Sequence, residues 1–175
     1  MTELPRVTDI LASVGIIVTS FYDLTGCERG EAVHLLTQYN DLNDLDEESV
    51  DPSLAPYLAG WRKFLAEHEC KWREIEIRRD HPVFRYTGKP DRIGTVDGRD
   101  AVVDIKSGAK EWWHRYQLSA YSAFGDNFHY NRIVVRLDVR GGYALDPYGP
   151  TPPADLNVFL AALTLHNVKR GHNGN

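Results

Sequence analysis

The stretch Tyr86 to Tyr121, YTGKPDRIGTVDGRDAVVDIKSGAKEWWHRYQLSAY, decides how this chain folds. Its centre, Ala101-Val102-Val103-Asp104-Ile105-Lys106, is a β-branched run that predicts a strand, and side-chain alternation puts Asp104 and Lys106 on one face. Upstream, Gly88-Lys89-Pro90-Asp91-Arg92-Ile93-Gly94 carries a second carboxylate. Between them, Val96-Asp97-Gly98-Arg99-Asp100 holds an Asp-Gly turn signal that folds the two segments into an antiparallel hairpin. Asp91 and Asp104 are then expected on neighbouring strands. Charges at strand ends are ordinarily solvated, and an isolated Asp/Lys pair is ordinarily a surface ion pair. Here both charges sit in an apolar run, where burial is costly unless a metal or a partner compensates.

Working outward, Lys110 to Phe124 predicts a helix, with Gln117 and Tyr121 spaced i, i+4 on one face. Of Trp112 and Trp113 just ahead of it, one is expected in the core and the other is free to stack on an unpaired base. The strand Lys71 to Arg79 alternates Trp72, Glu74 and Glu76 against Arg73, Ile75 and Ile77, so Glu74 and Glu76 share a face and alternation does not choose between them. Pro52 to Glu69 reads as an amphipathic helix, and Cys27 to Tyr39 as another, with Arg29, Gly30, His34 and Gln38 along one side. A histidine beside an apolar stripe is, taken alone, a packed or solvent-facing residue. Thr8 is placed to cap a short helix through Ala12, and Val14 to Val18 to pack at an edge. Beyond the hairpin, Arg132 to Val139 and Tyr143 to Leu145 predict two strands around Gly141-Gly142, and Asp155 to Val168 a closing helix. The order is helices, three strands, helix, two strands, helix.

Pro90-Asp91, twelve intervening residues, Asp104-Ile105-Lys106 and then Gln117-Leu118-Ser119-Ala120-Tyr121 together resemble the PD-(D/E)XK nuclease superfamily. The helix Arg29-Gly30-Glu31-Ala32-Val33-His34 makes the chain similar to the RecB-type branch, which includes phage exonucleases and CRISPR-adaptation nucleases. Pro5 to Leu11 is similar to the opening of some phage members. The resemblance implies an α/β fold with a restriction-endonuclease-like core, a central mixed β-sheet flanked by α-helices. It implies metal binding by His34, Asp91, Asp104 and the Ile105 carbonyl, with one further acid from Glu74 or Glu76. Lys106 is then the residue that orients or deprotonates the nucleophile, and Arg29, Gln117 and Tyr121 lie along the DNA backbone. Gln117 and Tyr121 also support the catalytic carboxylates. Hard oxygen ligands with one imidazole suit magnesium or manganese, and the imidazole favours manganese.

A chain of 175 residues with 42% hydrophobic and 26% charged residues is expected to form one domain able to bury a core. No apolar run is long enough to span a membrane and no basic-then-apolar leader opens the chain, so a cytoplasmic protein without membrane partners is expected. Cys27 and Cys70 are too few for an iron–sulfur cluster, unlike the cluster-bearing members of the branch. The net charge of −5 weighs against simple nonspecific DNA binding, yet residues 41 to 51 hold six acids and no base, leaving a slight positive excess elsewhere. That acidic stretch reads as a solvated connector. The expected activity is a metal-dependent DNA nuclease, an exonuclease leaving 5′-phosphates. The alternatives are a structure-selective endonuclease, or a noncatalytic nuclease-fold module that binds DNA or protein. A second copy of the chain, or a recombination or replication protein, is the partner class beyond DNA.

Overall fold

The computed structural model describes residues 3–18, 24–125 and 129–173. Helices α1 (Val7–Ser13), α2 (Leu24–Asp41) and α3 (Ala55–Glu67) precede strand β1 (Cys70–Ile75) and the short β2 (Arg79–Asp80) and β3 (Thr87–Gly88). Then come β4 (Arg92–Val96), β5 (Arg99–Lys106), α4 (His114–Ser122), β6 (Asn131–Leu137), β7 (Tyr143–Gly149) and α5 (Pro153–Asn173). Five strands form one mixed sheet in the order β1-β4-β5-β6-β7, parallel only between β5 and β6, where α4 makes the crossover. The sheet is flanked by helices on both faces, as the alternation of strands and helical segments implies.

The hairpin forms because Asp97 and Gly98 both take positive φ, 51° and 74°, the conformation that a two-residue turn with the right twist demands. It sets Val96 opposite Arg99 and Arg92 opposite Val103. β5 is central and buried on both sides. Val102 joins Ile10, Leu118, Val134 and Phe159 in one apolar cluster with α1, α4 and α5. Ala101, Val103 and Ile105 join Val33, Trp61, Phe64 and Val135 in another with α2 and α3. Asp104 therefore lies on the α4 side by alternation, with Lys106 beside it.

The structure corrects several local expectations. Thr8 does not cap α1, which starts from Arg6 without a side-chain cap. The strand expected through Arg79 stops at Ile75, and Arg79–Asp80 pairs instead with Thr87–Gly88 in a separate small sheet. The connector expected to be solvated begins with a buried residue, since Asp41 forms an ion pair with the interior Arg92 at 2.7 Å. Trp113 is buried and Trp112 is 60% exposed, dividing the tryptophan pair between core and surface. Among the described residues, no helix is long and apolar enough to cross a membrane.

Candidate metal centre

Antiparallel pairing of β4 with β5 brings the entry of β4 against the exit of β5, so Asp91 lies beside Asp104 and Ile105. Asp91 is buried, and its Oδ2 accepts a hydrogen bond from the Ile105 N–H at 2.6 Å. β1 ends with Ile75 opposite Arg92, which delivers Glu76 next to Asp91, and the Glu76 N–H donates to the Asp91 carbonyl at 3.0 Å. The chain does not alternate here. A register irregularity between Trp72 and Glu74 is followed by a left-handed Glu76, φ 55°, and the two glutamates part company. Glu74 forms an ion pair with Arg79, while Glu76 turns inward with its side chain only 3% exposed. The shared face expected for these two acids is thus overturned, and Glu76 is the one at the site.

α2 contributes His34, whose Nδ1 lies 3.3 Å from Asp91 Oδ1 and 3.4 Å from Glu76 Oε1. Ligand-capable atoms of His34, Glu76 and Asp91 all fall within 4.8 Å of one another. Asp104 is outside this trio. It is 1% exposed, and Lys106 Nζ forms an ion pair with its Oδ2 at 2.8 Å. His34, Glu76 and Asp91 together offer one imidazole nitrogen and two carboxylates, a donor set able to hold a metal ion.

The electrostatics separate these groups. The Asp91 charge, opposed by burial, raises His34 to about 10, with hydrogen bonds to Asp91 and Glu76 adding to the rise. Burial disfavours the Asp91 anion, but His34, Lys106 and the Ile105 N–H together hold it well below the usual carboxylate value. Asp104 goes the other way. Burial, reinforced by the neighbouring Asp91 charge and opposed by Lys106, pushes it up to about 6. Two adjacent carboxylates driven in opposite directions is the pattern expected where charge is concentrated for chemistry. Lys89, more than half exposed, completes the ring of cations by reaching Glu76 Oε2 at 2.6 Å.

Behind the trio stands a support that sequence reasoning missed. Arg92 is fully buried, donates from Nε to Asp41 Oδ2 and from Nη1 to the Asp91 carbonyl, both at 2.7 Å, and lies 5.4 Å from the Trp61 ring. Trp61 Nε1 donates to the other Asp41 oxygen at 2.8 Å. Removing one partner of such a buried pair costs about 3–5 kcal/mol. A signal was available: a carboxylate at the C-terminus of α2 opposes the helix dipole, so Asp41 needs a cation.

Gln117 and Tyr121 are both buried, and Gln117 Nε2 donates to the Tyr121 hydroxyl at 3.2 Å. Burial, then Asp104 and Asp91, push the Tyr121 phenol far up, which places it in the field of the carboxylates. Gly88 makes this approach possible, because a Cβ there would lie 2.6 Å from the Tyr121 ring. Arg29 lines a cavity of about 630 Å³ that shares His34, Ile105 and Lys106 with the site.

His114, also unforeseen, opens α4 with 2% exposure and a buried Nδ1 that has no hydrogen-bond partner among the described residues. Burial, then Lys106, Arg136 and Lys110 against Asp146, lower its pKa from 6.5 to about 3. Between these values the unfolded chain binds a proton that the folded one refuses, so stability falls as pH drops through the window. From pH 6.5 to about pH 5 the loss is about 2 kcal/mol. Urea unfolding at the two pH values checks this, and His114→Gln should remove that part of the slope.

No family model matches the chain, and a search of curated proteins finds no match.

Proposed function

We propose that this chain is a metal-dependent deoxyribonuclease with a restriction-endonuclease-like core, of the PD-(D/E)XK kind and resembling its RecB-type and phage members. The observation that carries the proposal is the meeting of His34, Glu76 and Asp91 within 4.8 Å, at the edge where Asp104 and Lys106 leave β5. His34, Glu76, Asp91, Asp104 and the Ile105 carbonyl would hold magnesium or manganese. When bound, the ion would lower the pKa of a water and neutralise charge building on the phosphate. Lys106, held as an ammonium beside Asp104, would orient the attacking water, whose proton would pass to solvent. The water oxygen would bond to phosphorus as the bond to the 3′ oxygen breaks, and the departing 3′ oxygen would take a proton from solvent water. The products are a 5′-phosphate and a 3′-hydroxyl. Arg29, Gln117 and Tyr121 support the backbone and the carboxylates, and positioning of this kind contributes much of the rate in phosphoryl transfer.

His34→Ala tests the assignment. The His34 side chain is 27% exposed and is the counter-charge of Asp91 and Glu76, so manganese affinity should fall by about tenfold or more and the metal-free chain should lose some stability while still folding. Calorimetric titration measures it. Unchanged affinity would return the cluster to a purely structural set of ion pairs.

Preference for strand ends follows from the sequence, which carries no helix-turn-helix pattern, no zinc-finger spacing and no basic arm to select an internal site. A covalently closed circular duplex should resist digestion under conditions that degrade its linear form. Rapid conversion of the circle to discrete fragments would identify an endonuclease and leave the metal assignment intact.

A further inference from the structure

Helices α2 and α5 are apolar where they face solvent. On α2, Leu35, Tyr39 and Leu42 are exposed, and on α5 Val158, Leu165 and Val168, with Leu35, Leu42, Leu165 and Val168 exposed by half or more. These side chains point away from the core, since α2 turns Val33 inward and α5 turns Phe159, Ala162 and Leu163 inward. A helix apolar on two sides is one that a second surface covers. α3 shows the ordinary arrangement, with Arg62, Lys63 and Glu67 on its exposed side.

The two stripes match each other. Leu35, Tyr39 and Leu42 follow at steps of four and three, and Leu165, the exposed Ala161 and Val158 follow at the same steps read in the opposite direction. That is the spacing with which antiparallel helices interdigitate. Setting Leu35 against Leu165 puts Tyr39 on Ala161, large on small, and Leu42 on Val158. The same register carries Glu31 to Lys169 and Glu28 to His172, all of them exposed. The charges are distributed to suit. α5 has no Asp, Glu, Lys or Arg from residue 156 to 168 and then ends in Lys169, Arg170 and His172, while the exposed acids of α2 precede its apolar stripe. Complementary charge of this kind fixes register.

The stripes do not meet within one molecule. α2 packs with α3 on one side of the sheet, and α5 packs with α1 and α4 on the other. We infer that a second copy of this chain covers each stripe, α2 of one copy lying antiparallel on α5 of the next. The contact is head to tail, so a pair of copies still presents one stripe of each kind. Three apolar layers with charged ends form an interface below the about 1,200 Å² of stable complexes, so the copies exchange, with a dissociation constant of about 10–100 µM.

Sedimentation velocity of the full chain from about 1 to 500 µM should show the average mass rising through that range. Leu35→Glu blocks the α2 stripe and Leu165→Glu the α5 stripe, and because both side chains lie at the surface the melting temperature should hold. Each variant alone should remain monomeric at the highest concentration. Mixed one to one, they should form a heterodimer and nothing larger, since one copy keeps an intact α2 stripe and the other an intact α5 stripe. Lys169→Glu should weaken association by about tenfold, and Glu31→Lys added to the same chain should restore it. A parental chain that stays monomeric throughout overturns the inference. So does self-association of either blocked variant, which would mean a stripe pairing with itself or a different surface, and so does a mixture of the two that stays monomeric.

Discussion

Asp104→Ala is expected to lower DNA hydrolysis by about 10³-fold or more, because it removes the buried carboxylate that Lys106 approaches and that the proposed ion would use. Lys106→Met should lower the turnover rate by about 10²–10³-fold, through loss of the group that positions the water. The two variants should differ in metal binding. Asp104→Ala removes a ligand and should weaken manganese binding. Lys106→Met removes a cation that competes for the same Asp104 oxygen, so affinity should hold or rise. Calorimetry with manganese beside a linear-duplex assay separates these outcomes. Asp104→Ala cutting DNA at the parental rate would remove β5 from the active site.

Glu76→Gln and Glu74→Gln form the second test, because the sequence treats these acids as equivalent and the structure does not. Glu76 is buried within reach of His34, Lys89 and Arg92. Its substitution takes the carboxylate from Lys89, leaves His34 with Asp91 alone and removes an anionic donor from the trio, so hydrolysis should fall by about 10²-fold or more. Glu74 pairs with Arg79 at the surface, where an ion pair contributes about 0–1 kcal/mol. Glu74→Gln should keep parental activity within about twofold. Equal loss in both variants would mean that β1 alternates regularly and that the inward turn of Glu76 is not part of the working site.

These two glutamates also mark where sequence reading stops. The hairpin was legible because Asp97-Gly98 can be met by one short turn, and β5 because five successive buried residues suit only a central strand. The pairing of Gln117 with Tyr121 followed from helical spacing alone. Glu76 was not legible. A non-glycine residue at φ 55° is stabilised by its surroundings, here a hydrogen bond to the Asp91 carbonyl and a ring of cations, and none of these is local in sequence. Asp41 escaped for a similar reason, since five neighbouring acids disguise the one that is buried against Arg92. His114 carries no local signal at all, because its environment is set by Lys106, Lys110, Arg136 and Asp146 from three parts of the chain.

The claim that His34, Glu76 and Asp91 hold a metal that hydrolyses DNA is tested most directly by adding manganese to the chelator-treated protein with end-labelled linear DNA. Degradation to products bearing 5′-phosphates should begin on addition of the ion, stop on renewed chelation, and be absent from folded Asp91→Asn. Intact DNA in excess manganese with the folded parental protein, or undiminished cleavage by Asp91→Asn, would contradict it.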